Sequence, residues 1–342
     1  MIFQAVIIFL LSASFCVFSS FFAKKLNLVD IPDGLRKKHD GNIPLSGGIA
    51  IFLSLLTSLL IFSNYFDYFF VVILCSTFLI LLLGTIDDKW NLSVSIRIII
   101  QILASWIMIS FTDVYLNNLG DLFGLGNIYL GQLGIPLTIF MVVGVTNAFN
   151  MFDGFDGSLS SVSILAFGCL FILSLFLGER VDIFFFLVVI IFVFLLFNMG
   201  YLGTKRKIFL GDGGAMSLGF FLSWSLVFLS QGKEQIIQPV TALWIIFLPL
   251  IDALSTFLIR IKARQPIFLG DRKHMHFLLI DNGFSENKVF LIFLIISFLS
   301  CSFAFFSIIF SYQESYLFYG FLTLWIFYLL IIRYPFVKKN FN

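Results

Sequence analysis

The chain has 342 residues, 60% of them hydrophobic and only 12% charged, with a mean hydropathy of +1.05; soluble domains carry about a quarter charged residues. So apolar a chain cannot hide its hydrophobic surface inside a water-soluble core, which excludes ordinary soluble proteins and leaves a polytopic membrane protein. The net charge of +2 says little, but its distribution along the chain says more.

In chain order, about 11 apolar runs of roughly 17–22 residues are each long enough to cross a hydrocarbon core. They lie at 2–22, 46–63, 69–85, 96–113, 131–148, 159–177, 183–199, 213–230, 238–256, 288–311 and 317–334. The first ends at Lys24-Lys25 without a small-residue cleavage site and is read as a span, not a signal peptide. Cys16, Cys75, Cys169 and Cys301 all fall inside apolar runs without metal spacing and are read as packing residues. With the N-terminus outside, alternate loops carry 19 of the 21 Lys and Arg, and the outer loops keep only Arg180 and Lys233. That bias places the N-terminus in the periplasm and the C-terminus in the cytoplasm. The expected fold is an all-α membrane protein forming one domain over residues 1–342, its active site on cytoplasmic loops.

The inner loops hold the unusual chemistry. Asp87 and Asp88 stand in GTIDDKWNLS, Asp153 and Asp156 in NAFNMFDGFDGS, and Asp212 in IFLGDGGAMS. One acid at a helix end is ordinarily a solvated cap, and Asp156 and Asp212 would each complement the dipole of the span they precede. Five carboxylates on one face among Lys and Arg are different. They suit a hard cation bridging to an anionic substrate, and Mg²⁺ takes one or two carboxylates with phosphate oxygens and water. Asn147, Asn150, Asp153 and Asp156 recur every third residue, so neighbouring pairs share a helical face. Gly154 and Gly157 permit close backbone approach, and the Asn amides suit a uracil or sugar edge. The spacing fits neither an EF-hand nor a Walker A loop.

The longest inner loop, 257–288, carries His274 and His276 within DRKHMH, two of the three histidines of the chain. Paired histidines beside Asp271 and Arg272 point to a diphosphate or its metal. Arg260 and Arg264, one helical turn apart, offer planar donors to phosphate oxygens. Topology and anionic lipid would explain the basic charge alone, but not the histidines.

Taken together, these motifs resemble the polyprenyl-phosphate N-acetylhexosamine-1-phosphate transferases, in particular the bacterial undecaprenyl-phosphate GlcNAc-1-phosphate transferases. The likeness runs in order through RKKHDGNIPLSGG at 36–48, GTIDDKWNLSVSIR at 84–97, NAFNMFDGFDGS at 147–158, FLGDGGAMSLGF at 209–220 and DRKHMHF at 271–277. It implies roles for Asp87 and Asp88 in metal and lipid-phosphate handling, for Asn147, Asn150, Asp153 and Asp156 in the nucleotide and catalytic stretch, and for Asp212, with Asp88, as metal ligands. Arg260, Arg264, His274 and His276 would grip the diphosphate and sugar, and Lys38 and His39 would form the basic motif of the first inner loop. The implied cofactor is Mg²⁺, with Mn²⁺ as the alternative. The implied partners are UDP-GlcNAc, undecaprenyl phosphate and membrane lipids, with no nucleic acid; a homodimer is compatible. The implied location is the bacterial inner membrane, and the product would prime a lipid-linked surface polysaccharide. One departure stands out: the family pattern His-x-His-His reads HMHF here, with Phe277 in the last place.

The implied reaction joins GlcNAc-1-phosphate to undecaprenyl phosphate and releases UMP, either by direct attack of the lipid phosphate, with an Asp of the 87–88 pair keeping it deprotonated, or through an aspartyl intermediate. Another UDP-N-acetyl sugar, or the peptidoglycan precursor, is the nearest alternative substrate. A transporter of anions or nucleotide sugars is the rival class, but it would place polar residues at mid-membrane on broken helices in repeated halves. Here the spans are nearly free of ionisable residues; Asp252, in FLPLIDALST, is an exception and is read as near the inner end of its span. The 48 Phe residues are read mostly as lipid-facing filler, with a groove for an isoprenoid tail as the alternative.

Overall fold

A computed structural model of the protein describes residues 1–32, 41–62, 68–178, 182–231, 235–266 and 274–333. Among these, apart from one two-stranded hairpin, the regular structure is helical, as the apolar runs require. The helices are α1 (Ile2–Lys25), α2 (Gly47–Phe62), α3 (Tyr68–Trp90), α4 (Val94–Thr112), α5 (Gly134–Phe152), α6 (Ser158–Phe176), α7 (Asp182–Asn198), α8 (Gly211–Gln231), α9 (Pro239–Ile245), α10 (Phe247–Lys262), α11 (Met275–Asp281), α12 (Glu286–Ile309) and α13 (Glu314–Phe327). A π-helical turn, Tyr328–Arg333, continues α13.

Among the described residues, seven helices are long and apolar enough to cross a membrane, or eight if the bent pair α9–α10 is one span. Three further apolar helices, on α2, α7 and α13, are shorter. The protein is thus a helical membrane protein. The run at 238–256 is not one straight helix: α9 and α10 meet at 88°. Pro249 lacks the N–H that would pair with the carbonyl of Ile245 four residues earlier, so the helix breaks there. The thiol of Cys301 takes that carbonyl instead, at 3.7 Å.

Helix α8 is the centre of the bundle and is almost entirely buried. It packs on α3 and α5 and, at its N-terminus, on α2. Glycine makes the approach possible: a Cβ on Gly84 of α3 would overlap the backbone of Gly213, and one on Gly48 of α2 would overlap Gly214. Helix α1 lies on α2 and α7 at the flank and leaves most of its surface exposed. Phenylalanine is not only lipid-facing filler, since Phe149, Phe152, Phe167, Phe184, Phe186, Phe194, Phe220 and Phe293 are among the largest fully buried side chains.

Two short strands, β1 (Val29–Asp30) and β2 (Ile43–Pro44), pair antiparallel. The chain after β2 then pairs with the segment entering α8: Phe209 N–H donates to Pro44 at 2.9 Å, and Gly47 N–H donates to Phe209 at 2.9 Å. This ties the IPLSGG and IFLGDGG motifs side by side. At the opposite end of α8, Gln231 accepts the N–H groups of Asn117 and Asn118 and donates to Asn118, fastening the loop between α4 and α5.

Candidate active site

The turn between α3 and α4 is built by DDKWNLS itself. Asn91 takes a left-handed conformation, φ 48°, and Ser93 caps α4 by accepting the Ile96 N–H. Asp87, its side chain only 5% exposed, accepts the Leu92 N–H at 2.7 Å and Arg97 Nη1 at 2.7 Å. It therefore holds the turn, and it also acts on the carboxyl of Asp212. Asp88, the next residue of α3, reaches across with its side chain and accepts the N–H of Asp212 at 3.0 Å, with Gly213 N at 3.5 Å. It caps α8 with a charge that complements the helix N-terminus. Arg97 lies 4.0 Å from Asp212, whose side chain is 41% exposed.

In NAFNMFDGFDGS the helix stops at Phe152. Asn147 and Asn150 are on α5, whereas Asp153 and Asp156 belong to the turn into α6. The three-residue spacing therefore does not make one helical surface of all four. Asn147 is buried and its amide is engaged, donating to Gln101 Oε1 at 2.6 Å and to the Val143 carbonyl at 2.8 Å. It joins α4 to α5. Asn150 is half-buried on α5. Gly157, at φ +78°, supplies the left-handed turn, and its N–H donates to Asn198 Oδ1 at 2.7 Å. The Asn198 amide donates onward to the Ile208 carbonyl at 3.1 Å, bracing this turn against the segment that leads to Asp212.

Asp156 is paired with Lys207, whose ammonium also sits over the Phe209 ring at 5.3 Å. Among the described residues, Asp153 forms no such ion pair. Burial, then the charges of Asp212 and Asp156, push its carboxyl up to about 7. Three acids, two from the turn after α5 and one from the first turn of α8, thus act on one another across the end of the bundle.

The histidines reach the same place from the other side. A Cβ on Gly154 would overlap the imidazole of His276, so the two are in direct contact. His276 is fully buried, with its ring 4.1 Å from that of Phe277 and 6.0 Å from that of Phe155. His274 is also buried. Its Nδ1 meets Asp252 Oδ2 at 2.7 Å. Arg260 and Arg264 do not form the expected pair. Arg260 is fully buried on α10, whereas the helix ends at Lys262 and Arg264 is an exposed residue beyond it at φ 53°. Lys38 and His39 lie outside the described residues, as do Asp271 and Arg272.

The structure thus brings Asp88, Asp153, Asp156, Asp212 and His276 to one end of the bundle. In the sequence Arg97 and Lys207 read only as positive-inside charge; their partners Asp87 and Asp156 appear with the fold. Among the described residues, no three His, Cys, Asp or Glu side chains converge to hold a metal. Mg²⁺ needs only one or two carboxylates when phosphate completes its shell. Asp212, half-buried and beside Asp88, offers hard oxygen donors of that kind, and repulsion among the acids is what a cation would relieve. The residues fit the ion.

Residues 70–230 match the model of glycosyl transferase family 4. The chain is 36% identical over 287 residues to the undecaprenyl-phosphate alpha-N-acetylglucosaminyl 1-phosphate transferase of Escherichia coli K12, covering 83% of this chain and 78% of that one. The Yersinia pestis protein of the same name is 36% identical over 291 residues, with 84% and 79% covered. That of Haemophilus influenzae is 33% identical over 316 residues, with 91% and 88% covered.

Proposed function

Since the chain belongs to glycosyl transferase family 4, we propose that it transfers GlcNAc-1-phosphate from UDP-GlcNAc to undecaprenyl phosphate, giving undecaprenyl-diphospho-GlcNAc and UMP. The observation that carries this reading is the gathering of Asp88, Asp153, Asp156 and Asp212 with Lys207 and His276 where α8 begins. In this reading all eleven apolar segments cross the bacterial inner membrane, the N-terminus is periplasmic, and the site lies at the cytoplasmic boundary. There the isoprenoid tail can stay in the leaflet while its phosphate meets a water-soluble nucleotide. The product would be the first lipid-linked intermediate of a surface polysaccharide.

Phosphoryl transfer asks the protein mainly for positioning and charge neutralisation. A phosphate oxygen of the lipid attacks the β-phosphorus of UDP-GlcNAc, the bond to the bridging oxygen breaks, and UMP leaves with that oxygen. Asp87 is occupied by Arg97 and the turn, which favours Asp153 as the group that takes a proton from the lipid phosphate, because its carboxyl titrates near neutrality. Asp212, with Asp88 beside it, would hold Mg²⁺, or Mn²⁺ in its place, supplying charge to the diphosphate oxygens. Lys207 fixes Asp156, and Gly154 leaves room for His276 at the diphosphate. Arg260, being buried, supports the loop from within α10.

The test is an assay of purified protein across a panel of UDP-N-acetyl sugars. UMP release from UDP-GlcNAc that requires both undecaprenyl phosphate and Mg²⁺ is the expected result. No release with any donor would overturn the reading. Exchange of labelled UMP into UDP-GlcNAc without lipid would replace direct attack by an aspartyl intermediate.

A further inference from the structure

The acid inside a span, Asp252, is fully buried on α10. Its carboxylate gathers groups from two other elements. His274 Nδ1 lies 2.7 Å from Oδ2. The Met275 N–H, at the start of α11, donates to Oδ1 at 3.0 Å. The Tyr328 hydroxyl, at the first residue of the π-helical turn after α13, donates to Oδ1 at 3.1 Å. Thr256, one turn along α10, brings its hydroxyl to 3.5 Å from His274 Nδ1. A carboxylate placed among apolar helices is expensive unless it is paired and hydrogen-bonded, and such residues in spans are ordinarily functional.

We infer that Asp252 is the positioning residue for His274: it holds the imidazole with the proton on Nδ1, so that Nε2 is the nitrogen presented to the diphosphate of the donor. An ionised carboxylate only accepts hydrogen bonds, so the nitrogen facing it at 2.7 Å must carry hydrogen. The bond between the Met275 N–H and the same carboxylate fixes the backbone on which the ring is mounted, leaving His274 neither tautomeric nor rotational choice. Tyr328 ties the arrangement to the last described helix, and π-helical turns recur where a helix is shaped for a function. The ring of His276 lies nearly parallel to that of His274, at 7° and 6.0 Å between centroids, so orienting one ring sets the wall against which the other stands. Asp252 touches no reacting atom; it acts through His274. The inference rests on the transferase reading for what Nε2 meets, but the tautomer does not depend on it.

The experiment combines two measurements on the full-length protein in detergent. Long-range ¹H–¹⁵N spectra of histidine-labelled protein are tractable because the chain has 3 histidines, each assigned by a His→Gln variant. The expected wild-type spectrum shows His274 protonated on Nδ1 with Nε2 bare, and Asp252→Asn mixes or reverses the tautomers. In the transferase assay, Asp252→Asn is expected to lower kcat by about 10²-fold with the donor KM changed by less than about threefold, the pattern of an interaction felt mainly in the transition state. Adding Asp252→Asn to His274→Ala is expected to cause no further loss. A wild-type His274 protonated on Nε2 alone overturns the inference even if Asp252→Asn does not fold. Wild-type kcat in a folded Asp252→Asn, or losses that multiply with His274→Ala, reduces Asp252 to a structural role. A wild type that shows the expected tautomer but transfers nothing removes the transferase reading and the role assigned to Nε2.

Discussion

Asp88, in the last turn of α3, accepts the backbone N–H of Asp212, in the first turn of α8, at 3.0 Å. One acid of the site thereby holds the helix that carries another. The two roles separate by substitution. Asp88→Asn keeps an oxygen to accept that N–H and should melt within about 2 °C of wild type, yet lose at least about 10²-fold in UMP release because the charge is gone. Asp88→Ala loses the cap as well and should be less stable by about 1 kcal/mol. Full turnover in a folded Asp88→Asn would show that the carboxylate serves α8 alone.

The same contact depends on glycine. A Cβ on Gly84 would overlap the backbone of Gly213, which has no side chain to swing away. Gly84→Ala should therefore force α3 and α8 apart and destabilise the protein by about 1–3 kcal/mol, the usual scale of overpacking. Gly144, in the middle of α5, has nothing within 4 Å of an added Cβ. Gly144→Ala should be neutral or stabilising by up to about 1 kcal/mol. Thermal melting of the two variants in one detergent decides the matter.

Much of this architecture was legible because its signals are local. Hydrophobic runs betray helices, and DDKWNLS or FDGFDGS betray the turns that join them. What was hidden depends on neighbours distant in sequence. Arg97 and Lys207 look like topology charges until Asp87 and Asp156 are placed beside them. Asn147 looks like a substrate amide until Gln101 faces it from α4. Arg260 and Arg264 are spaced as a helical pair, but the helix stops at Lys262 and the spacing no longer holds beyond it. In the sequence Asp252 stands as an isolated acid, and only folding brings His274, 22 residues on, to its oxygen.

Asp153 gives the site a pH dependence whose sign is fixed. Its carboxyl is raised from 3.8 to about 7 by burial and by the charges of Asp212 and Asp156. The folded protein therefore holds a proton there that the unfolded chain has released between those two values. Stability from this group is full below about pH 4 and is lost as pH rises through 7. A divalent cation at the cluster should reverse that loss, since it favours the ionised form. Mg²⁺ should then raise the melting temperature more at pH 8 than at pH 6, and Asp153→Asn should reduce the difference without abolishing it, the other acids of the cluster supplying the rest. Equal Mg²⁺ stabilisation at both pH values would separate Asp153 from the cation.

The contact between Gly154 and His276 is the place where the nucleotide turn and the histidine loop meet. Gly154 is not in a left-handed conformation, so alanine is acceptable to the backbone, and the conflict is with the ring alone. That ring has little room to retreat: it is fully buried, with Phe277 at 4.1 Å and Phe155 at 6.0 Å. Gly154→Ala should therefore leave the helices intact and displace His276, lowering kcat by about 10- to 100-fold with a stability loss of less than about 2 kcal/mol. Shortening the ring with His276→Asn in the same protein should recover stability but not turnover, because the space is restored without the imidazole. Phe277→His, beside it, should change kcat by less than about threefold if the His-x-His core carries the function. Wild-type kcat in Gly154→Ala would mean that the imidazole does its work elsewhere, and the meeting of the two loops would be packing only.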